Sequence, residues 1–322
     1  MMTQRIALHL LRRLALLVPL AIGVTVVVFL LASLIPGGPV AALLAGRSTD
    51  TATVDAMRAK FHLDDPLALQ YWFWLRGLIQ GDLGTSIVSG QPVTAAISDR
   101  IGTTLVLNLS GVLLALVCGV SLGMFAASRR GSSIDRLVVG GTLALSSAPP
   151  FVLAIAGLFV LSFQLGWFPL FGLGNGGFWT TAWHLVLPAI VVAIGPLAFI
   201  TKITRAAMID QLDQDYILFL RARGIPARQV MFAHALRNAL VPVLTAAGLL
   251  FVGLLTGTVF VETVFGLPGL GRLLVTSVQF NDFPVTQGIV LIVAAWIIFT
   301  NLIVDLLYAV VDPRVDFAGV AA

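Results

Sequence analysis

Charge is scarce in this chain: of 322 residues only 11% are Asp, Glu, Lys or Arg, less than half the roughly 25% of an ordinary soluble domain. A plain soluble enzyme is thereby excluded. Cysteine occurs once, as Cys118, so no disulfide forms within the chain and no cysteine metal cluster is available. Lying in an apolar run, Cys118 reads as a small buried hydrophobe. Lysine occurs twice, at Lys60 and Lys202, and neither follows the glycine loop that cradles phosphates, so ATP is not bound in the P-loop manner. Any ATP energy must come from another subunit. The four histidines, His9, His62, His184 and His234, form no H-E-x-x-H pair, and no G-x-S-x-G occurs. Neither a hydrolytic centre nor a metal site is expected. The 19 basic residues are scattered between hydrophobic stretches and make no patch of the nucleic-acid-binding kind.

Apolar sequence is what the chain does have: 58% hydrophobic residues and a mean hydropathy of +1.01. Six uncharged runs, 14–35, 104–127, 137–163, 184–201, 241–261 and 285–304, lie near or above the roughly 20 residues a helix needs to cross a bilayer. Backbone polar groups in lipid must be satisfied within the segment, so the reading is an all-α, polytopic membrane protein with six transmembrane helices. With the N-terminus in the cytoplasm, the inside segments 1–13, 128–136, 202–240 and 310–322 hold thirteen Lys/Arg. The outside segments 36–103, 164–183 and 262–284 hold six. The positive-inside rule therefore puts both termini in the cytoplasm. Arg12 and Arg13 before the first run also suit a cleavable signal peptide, but 22 uncharged residues exceed the roughly 7–15 of such a core. The run is expected to stay as a signal-anchor span.

The span interiors hold no ionisable residue, whereas ion-coupled carriers usually place such groups at mid-membrane. This argues against a stand-alone secondary transporter; a membrane-embedded enzyme is a third and poorer reading. Glu262 and Asp305 fall at span ends and are expected to be solvated. Asn108, Ser110, Thr256, Thr258 and Asn301 read first as hydrogen bonders between helices. Ser146, Ser147, Pro149 and Pro150 break the third run. The break either lines a polar path or is a bend satisfied by neighbouring helices. The pairs Gly119/Gly123 and Gly253/Gly257 let helices approach closely, more as packing within this chain than as a dimer contact.

The longest inside loop, 202–240, reads as two short helices around a sharp turn. Asp210, Asp213 and Asp215 come early and Arg221 and Arg223 late, the order a helix dipole favours. Gly224-Ile225-Pro226 is a stop-and-restart signal. The apolar run Ile217-Leu218-Phe219-Leu220 is unusual on so short a helix. Either a partner's groove receives it, or the helix packs on the inner ends of the spans.

The segment 215–245, DYILFLRARGIPARQVMFAHALRNALVPVLT, resembles the EAA loop of bacterial ABC-importer permeases of the dipeptide/oligopeptide/nickel family. Further islands resemble that family in order along the chain: Ile35-Pro36-Gly37-Gly38-Pro39, Leu63-Asp64-Asp65-Pro66-Leu67 with Gln70-Tyr71, Gly81-Asp82-Leu83-Gly84-Thr85-Ser86, Pro92-Val93, Val261 to Arg272, Asn281 to Val285, and Asp312-Pro313-Arg314. Three departures stand out. Leu218, Phe219 and Leu220 occupy the positions of the acidic-alanine-alanine triplet, Gly38 stands where aspartate is common, and Gly102 where proline is common.

The resemblance implies a type I ABC-importer permease in a bacterial inner membrane. Its expected layout is a cytoplasmic N-terminus (1–13), a first span (14–35), an extracytoplasmic segment (36–103) that receives a solute-binding protein, a core domain (104–309) carrying the EAA loop (202–240), and a cytoplasmic tail (310–322). Implied partners are a second, homologous permease subunit, two cytoplasmic ATPases or one fused ATPase holding ATP and Mg, the solute-binding protein and the lipid bilayer, with no nucleic acid. No cofactor is implied on this chain. Asp215, Tyr216, Leu218, Phe219, Leu220, Arg221, Ala222, Arg223 and Gly224 fall at the ATPase-coupling helix. Asn108, Ser110, Ser146, Ser147, Thr256 and Thr258 are expected to face the translocation path. The implied cargo is short peptides, with nickel chelates, haem or glycosides as the family's other choices.

Overall fold

The computed structural model describes residues 17–30, 65–174 and 176–311, with the side chains of 249, 251–257 and 304–311 outside that description. The expectations for Thr256, Gly253, Gly257 and Asp305 concern such side chains, and those for Gly38 and for the tail from Asp312 lie outside the described residues altogether. Among the described residues the ordered elements are helical, with one isolated antiparallel bridge between Thr85 and Pro92.

Two compact units divide the chain. The first comprises residues 1–102, 272–302 and 316–322. Its described part contains α1 (Leu17–Leu30), α2 (Leu67–Ile79) and the start of α3 (Val93–Ser128). It also holds α9 (Leu270–Gln279) from Arg272 onward and most of α10 (Phe283–Val311). Tyr71 on α2 meets α1, sharing a hydrogen bond with Thr25 at 2.8 Å and an edge-on ring contact with Phe29. Buried Asp282 precedes α10 and accepts from the Ser86 hydroxyl and, at 3.1 Å, from the Ile87 amide. Those bonds join the Gly81 to Ser86 and Asn281 to Val285 islands. An acceptor between a buried and a half-buried donor is worth more in place than any one neutral bond, because its loss strands both.

The second unit, residues 103–271 and 303–315, holds most of α3, then α4 (Ser133–Ser147), α5 (Pro150–Gly157) widening into a π-helical segment Leu158–Gln164, α6 (Phe178–Leu212), α7 (Asp215–Ala222) and α8 (Leu236–Val264). A short turn, Ala227–Gln229, and a second π-helical segment, Val230–Ala235, lead into α8. The core gathers Leu107 and Val112 of α3, Ala154 of α5, Leu187 and Val191 of α6, and Val261 of α8.

Helix α3 packs on α6 through glycine. A Cβ at Gly111 would lie 2.7 Å from Val192, one at Gly119 2.8 Å from Ile200, and one at Gly123 2.6 Å from the Thr201 carbonyl. The Gly119/Gly123 pair is thus used within the chain.

Among the described residues, four helices are long and apolar enough to cross a membrane, five if α4 and the helix from Pro150 to Gln164 count as one broken span; α1 is a shorter apolar helix. The third run is broken where the sequence placed the break, its halves meeting at 98°. Pro149 and Pro150 end one helix and start the next, since neither carries the amide that would continue the ladder. Two sequence readings need correction here. The helix that carries the fourth run does not stop at Thr201, because α6 runs on to Leu212. Asp210 therefore belongs to the last turn of α6, and Asp213 is its C-cap, so neither opens the short helix that follows. At ~1.5 Å per residue, the 35 residues of α6 extend roughly 52 Å, well beyond a hydrocarbon core of ~30 Å.

Candidate coupling site and translocation path

Helix α7 follows α6 after a two-residue break at Asp213 and Gln214. Asp215 sits in its first turn and Arg221 in its last, both favourable to the helix dipole. It ends at Gly224, whose φ of 75° is the left-handed conformation that side chains resist. The Gly224 amide donates to the Arg221 carbonyl at 2.9 Å and the Ile225 amide to the Leu220 carbonyl at 3.2 Å, the pair of bonds that defines a Schellman stop. Leu220 and Ile225 pack on the same apolar cluster below, the hydrophobic contact that accompanies this motif. Pro226 then caps the restart at Ala227.

That cluster holds α7 by one face. Ile217 is fully buried among Ala127, Met208, Val230, Ala235 and Ala239, with Leu220 half-buried beside it. The other face is open: Leu218 is 70% exposed and Phe219 60% exposed. The Arg223 guanidinium lies over the Phe219 ring, 5.6 Å from its centre, a cation–π contact that holds the ring outward. Asp215, Tyr216, Arg221, Ala222, Arg223 and Gly224 share that exposure. Leu220 alone of the expected coupling residues turns partly into this chain's own core.

The Tyr216 hydroxyl donates to Gln211 Oε1 at 2.9 Å and accepts from Asn238 Nδ2 at 3.1 Å, tying α7 to α6 and α8. An ion pair fixes the base of α4. Arg205 on α6 donates from Nε to Asp135 Oδ1 at 2.5 Å and from Nη2 to Oδ2 at 2.7 Å. These bonds, aided by the Gly131 amide and opposed by burial, lower the Asp135 carboxyl from 3.8 to about 2. Asp135 lies in the first turn of α4, two residues before the uncharged run that starts at Leu137.

The expected path residues separate into two sets. Asn108 and Thr258 are buried and adjacent, Nδ2 lying 3.5 Å from Oγ1. Asn108 Nδ2 also donates to the Thr104 carbonyl at 2.8 Å, while Asn108 Oδ1 has no hydrogen-bond partner among the described residues. Ser110, Ser146 and Ser147 instead return their hydroxyls to carbonyls of their own helices, at 2.7, 3.0 and 2.7 Å.

The centre that sequence reading missed is Glu262. Expected to be solvated at a span end, it is fully buried. Its Oε1 accepts from the Thr104 hydroxyl and its Oε2 from the Gly271 amide, both at 2.7 Å; Thr104 Oγ1 in turn accepts from the Leu270 amide at 2.8 Å. Glycine at 269 leaves room for the carboxylate, which a Cβ there would meet at 2.3 Å. The carboxylate thus ties the turn after α8 to the first part of α3, 158 residues away in sequence. A buried carboxylate is tolerated where it is so paired.

Two family descriptions match: "Binding-protein-dependent transport system inner membrane component" over residues 119–317, and its N-terminal counterpart over residues 6–108. The glutathione transport system permease protein GsiC of Pectobacterium atrosepticum is 40% identical over 311 residues, covering 96% of this chain and 99% of its own. The oligopeptide transport system permease protein AppB of Bacillus subtilis is 38% identical over 316 residues, covering 97% and 100%. A chain of the MetNI methionine ABC transporter, in an inward-facing conformation, shares the fold at a TM-score of 0.56 and 16% identity, covering 67% of this chain and 95% of that one. With both parts of the family pattern matched and relatives aligned nearly end to end, the chain belongs to the binding-protein-dependent transport system inner membrane components, as a multi-pass permease.

Proposed function

We propose that this chain is one of two permease subunits in an ATP-driven importer of short peptides, with α7 as the helix that receives the force of ATP hydrolysis. The observation that supports the coupling role is the split character of α7: Ile217, with Leu220 beside it, holds the helix to its own subunit, while Leu218 and Phe219 project outward beside Arg221 and Arg223. An exposed apolar anchor ringed by arginines suits a groove on a cytoplasmic ATPase. ATP and Mg reside on that partner, and α7, both termini and the 128–136 loop lie in the cytoplasm, in keeping with the charge asymmetry. The segment 36–103 faces the solute-binding protein.

Peptide cargo is supported by the relatives named for glutathione and oligopeptide transport. Asn108 and Thr258, with Ser110, Ser146, Ser147 and Thr256, supply an uncharged path that suits peptides of varied side chains. Glu262 does not make the chain a proton-coupled carrier, because both its oxygens are engaged in holding the turn after α8.

Reconstitution in proteoliposomes tests the proposal. Peptide uptake is expected only with the second permease, the ATPases, ATP and the binding protein together, and this chain alone should bind no nucleotide. Uptake by this chain alone, driven by a proton gradient, would overturn it.

A further inference from the structure

From the end of the broken third span into the first turns of α6 runs a stretch that the transport role does not explain. From Gln164 to Trp183 there is no charged residue, yet five aromatic side chains in it stand open: Trp167, Phe171, Phe178, Trp179 and Trp183, with Trp179 83% exposed. Incomplete folding does not account for this exposure. The Trp167 amide donates to the Leu161 carbonyl at 2.9 Å, the Ser162 hydroxyl to the Pro169 carbonyl at 3.2 Å, and the Gly172 amide to the Phe265 carbonyl at 2.9 Å. Phe168 stacks on Trp183 with ring centres 5.1 Å apart, and Phe168 and Leu173 pack on the central core. The segment thus divides its apolar residues into an inward set that fixes it and an outward set that the described residues leave at least half exposed.

We infer that this outward set is a membrane anchor, resting at headgroup depth in the leaflet opposite α7. Three observations commit it to lipid. The first is depth: Trp179 and Trp183 precede the apolar run that starts at residue 184 by five residues and one, which is ~8 Å or less along the helix, and the headgroup layer is roughly 5–8 Å thick on each side. The second is continuity, since Phe159 and Phe163 on the preceding helix are also exposed and stack on each other at 5.8 Å. The third is chemistry. Tryptophan pairs an apolar body with an N–H, the combination enriched at membrane interfaces. A protein groove of either charge finds no ion-pair partner here. The irregular backbone of residues 165–174 also fits headgroup depth, where water and headgroups satisfy its amides, and not the hydrocarbon.

Spin labelling tests the assignment. Phe171→Cys and Trp179→Cys in a Cys118→Ala background, each labelled in the full-length chain in phosphatidylethanolamine/phosphatidylglycerol nanodiscs, should be relaxed more by oxygen than by an aqueous nickel chelate. The depth should fall in the headgroup layer and stay there when the second permease, the ATPases and the binding protein are added. Labels at both sites relaxed chiefly by the nickel chelate would overturn the anchor. So would labels that lose oxygen access only on adding the binding protein or the second permease, which would identify that protein as the occupant. As an independent readout, the triple change Trp167→Ser, Phe171→Ser, Trp179→Ser should lower the melting temperature in nanodiscs by more than in detergent. An equal loss in both would count against a role for the bilayer.

Discussion

Replacing Glu262 by alanine should unfasten the turn after α8. The change removes the acceptor for the Thr104 hydroxyl and the Gly271 amide, each at 2.7 Å in a fully buried site. Leaving a buried donor unsatisfied costs ~1–3 kcal/mol, so two of them together with the vacated volume come to about 3–5 kcal/mol. Glu262→Gln keeps the shape but points an amide at one of the two donors, for about 1–3 kcal/mol. Thr104→Val strands the Leu270 amide, which donates to the threonine hydroxyl. Because Thr104 and Glu262 share a bond, the double variant should fall short of the summed losses by about 1–2 kcal/mol. Melting of the purified chain in detergent, followed by loss of the monodisperse peak, reads these out, with Glu262→Ala lower by on the order of 10 °C. Melting of Glu262→Ala within a degree of wild type, or strictly additive losses in the cycle, would refute the clamp.

Other consequences follow from the same physical accounting. Asp135 titrates at about 2 instead of 3.8, so its ion pair with Arg205 stabilises the fold fully above about pH 4, and this contribution disappears as pH falls through 2. The melting difference between wild type and Asp135→Asn should therefore shrink over that interval, and a constant difference would deny the pair its role. Gly123→Val drives a side chain into the Thr201 carbonyl and should cost about 1–3 kcal/mol or more in the detergent melt, whereas Gly140→Ala, with nothing within 4 Å, should be neutral. Gly224→Val forces a β-branched residue to a φ of 75°, at a cost of about 1–2 kcal/mol confined to the stop of α7. Membrane abundance should stay normal while uptake per ATP hydrolysed falls.

What could be read from sequence was whatever local chemistry dictates. Apolar runs marked the helices because lipid demands them, and Gly224-Ile225-Pro226 marked the end of α7 because a left-handed glycine and a proline leave little choice. The angle at Pro149-Pro150 was not readable, since prolines specify a break and the neighbouring helices set its direction. The extension of α6 to Leu212 was missed because polar residues such as Gln211 are as content in a helix as in a loop. Glu262 looked like a solvated span end, as its partners Thr104 and Gly271 come together only in the folded chain. Asp135 and Arg205, 70 residues apart, were invisible as a pair for the same reason.

The central claim, that α7 is the contact through which ATP hydrolysis reaches this subunit, is tested most directly by retention of the ATPases on purified permease carrying Phe219→Ala. Phe219 is 60% exposed, so the change leaves the cluster around Ile217 intact. A phenylalanine anchor buried in a partner's groove contributes roughly 1.5–3 kcal/mol, so affinity for the ATPases should drop about 10- to 150-fold at normal membrane abundance. Undiminished ATPase retention and undiminished uptake by this variant at that same abundance would contradict the claim.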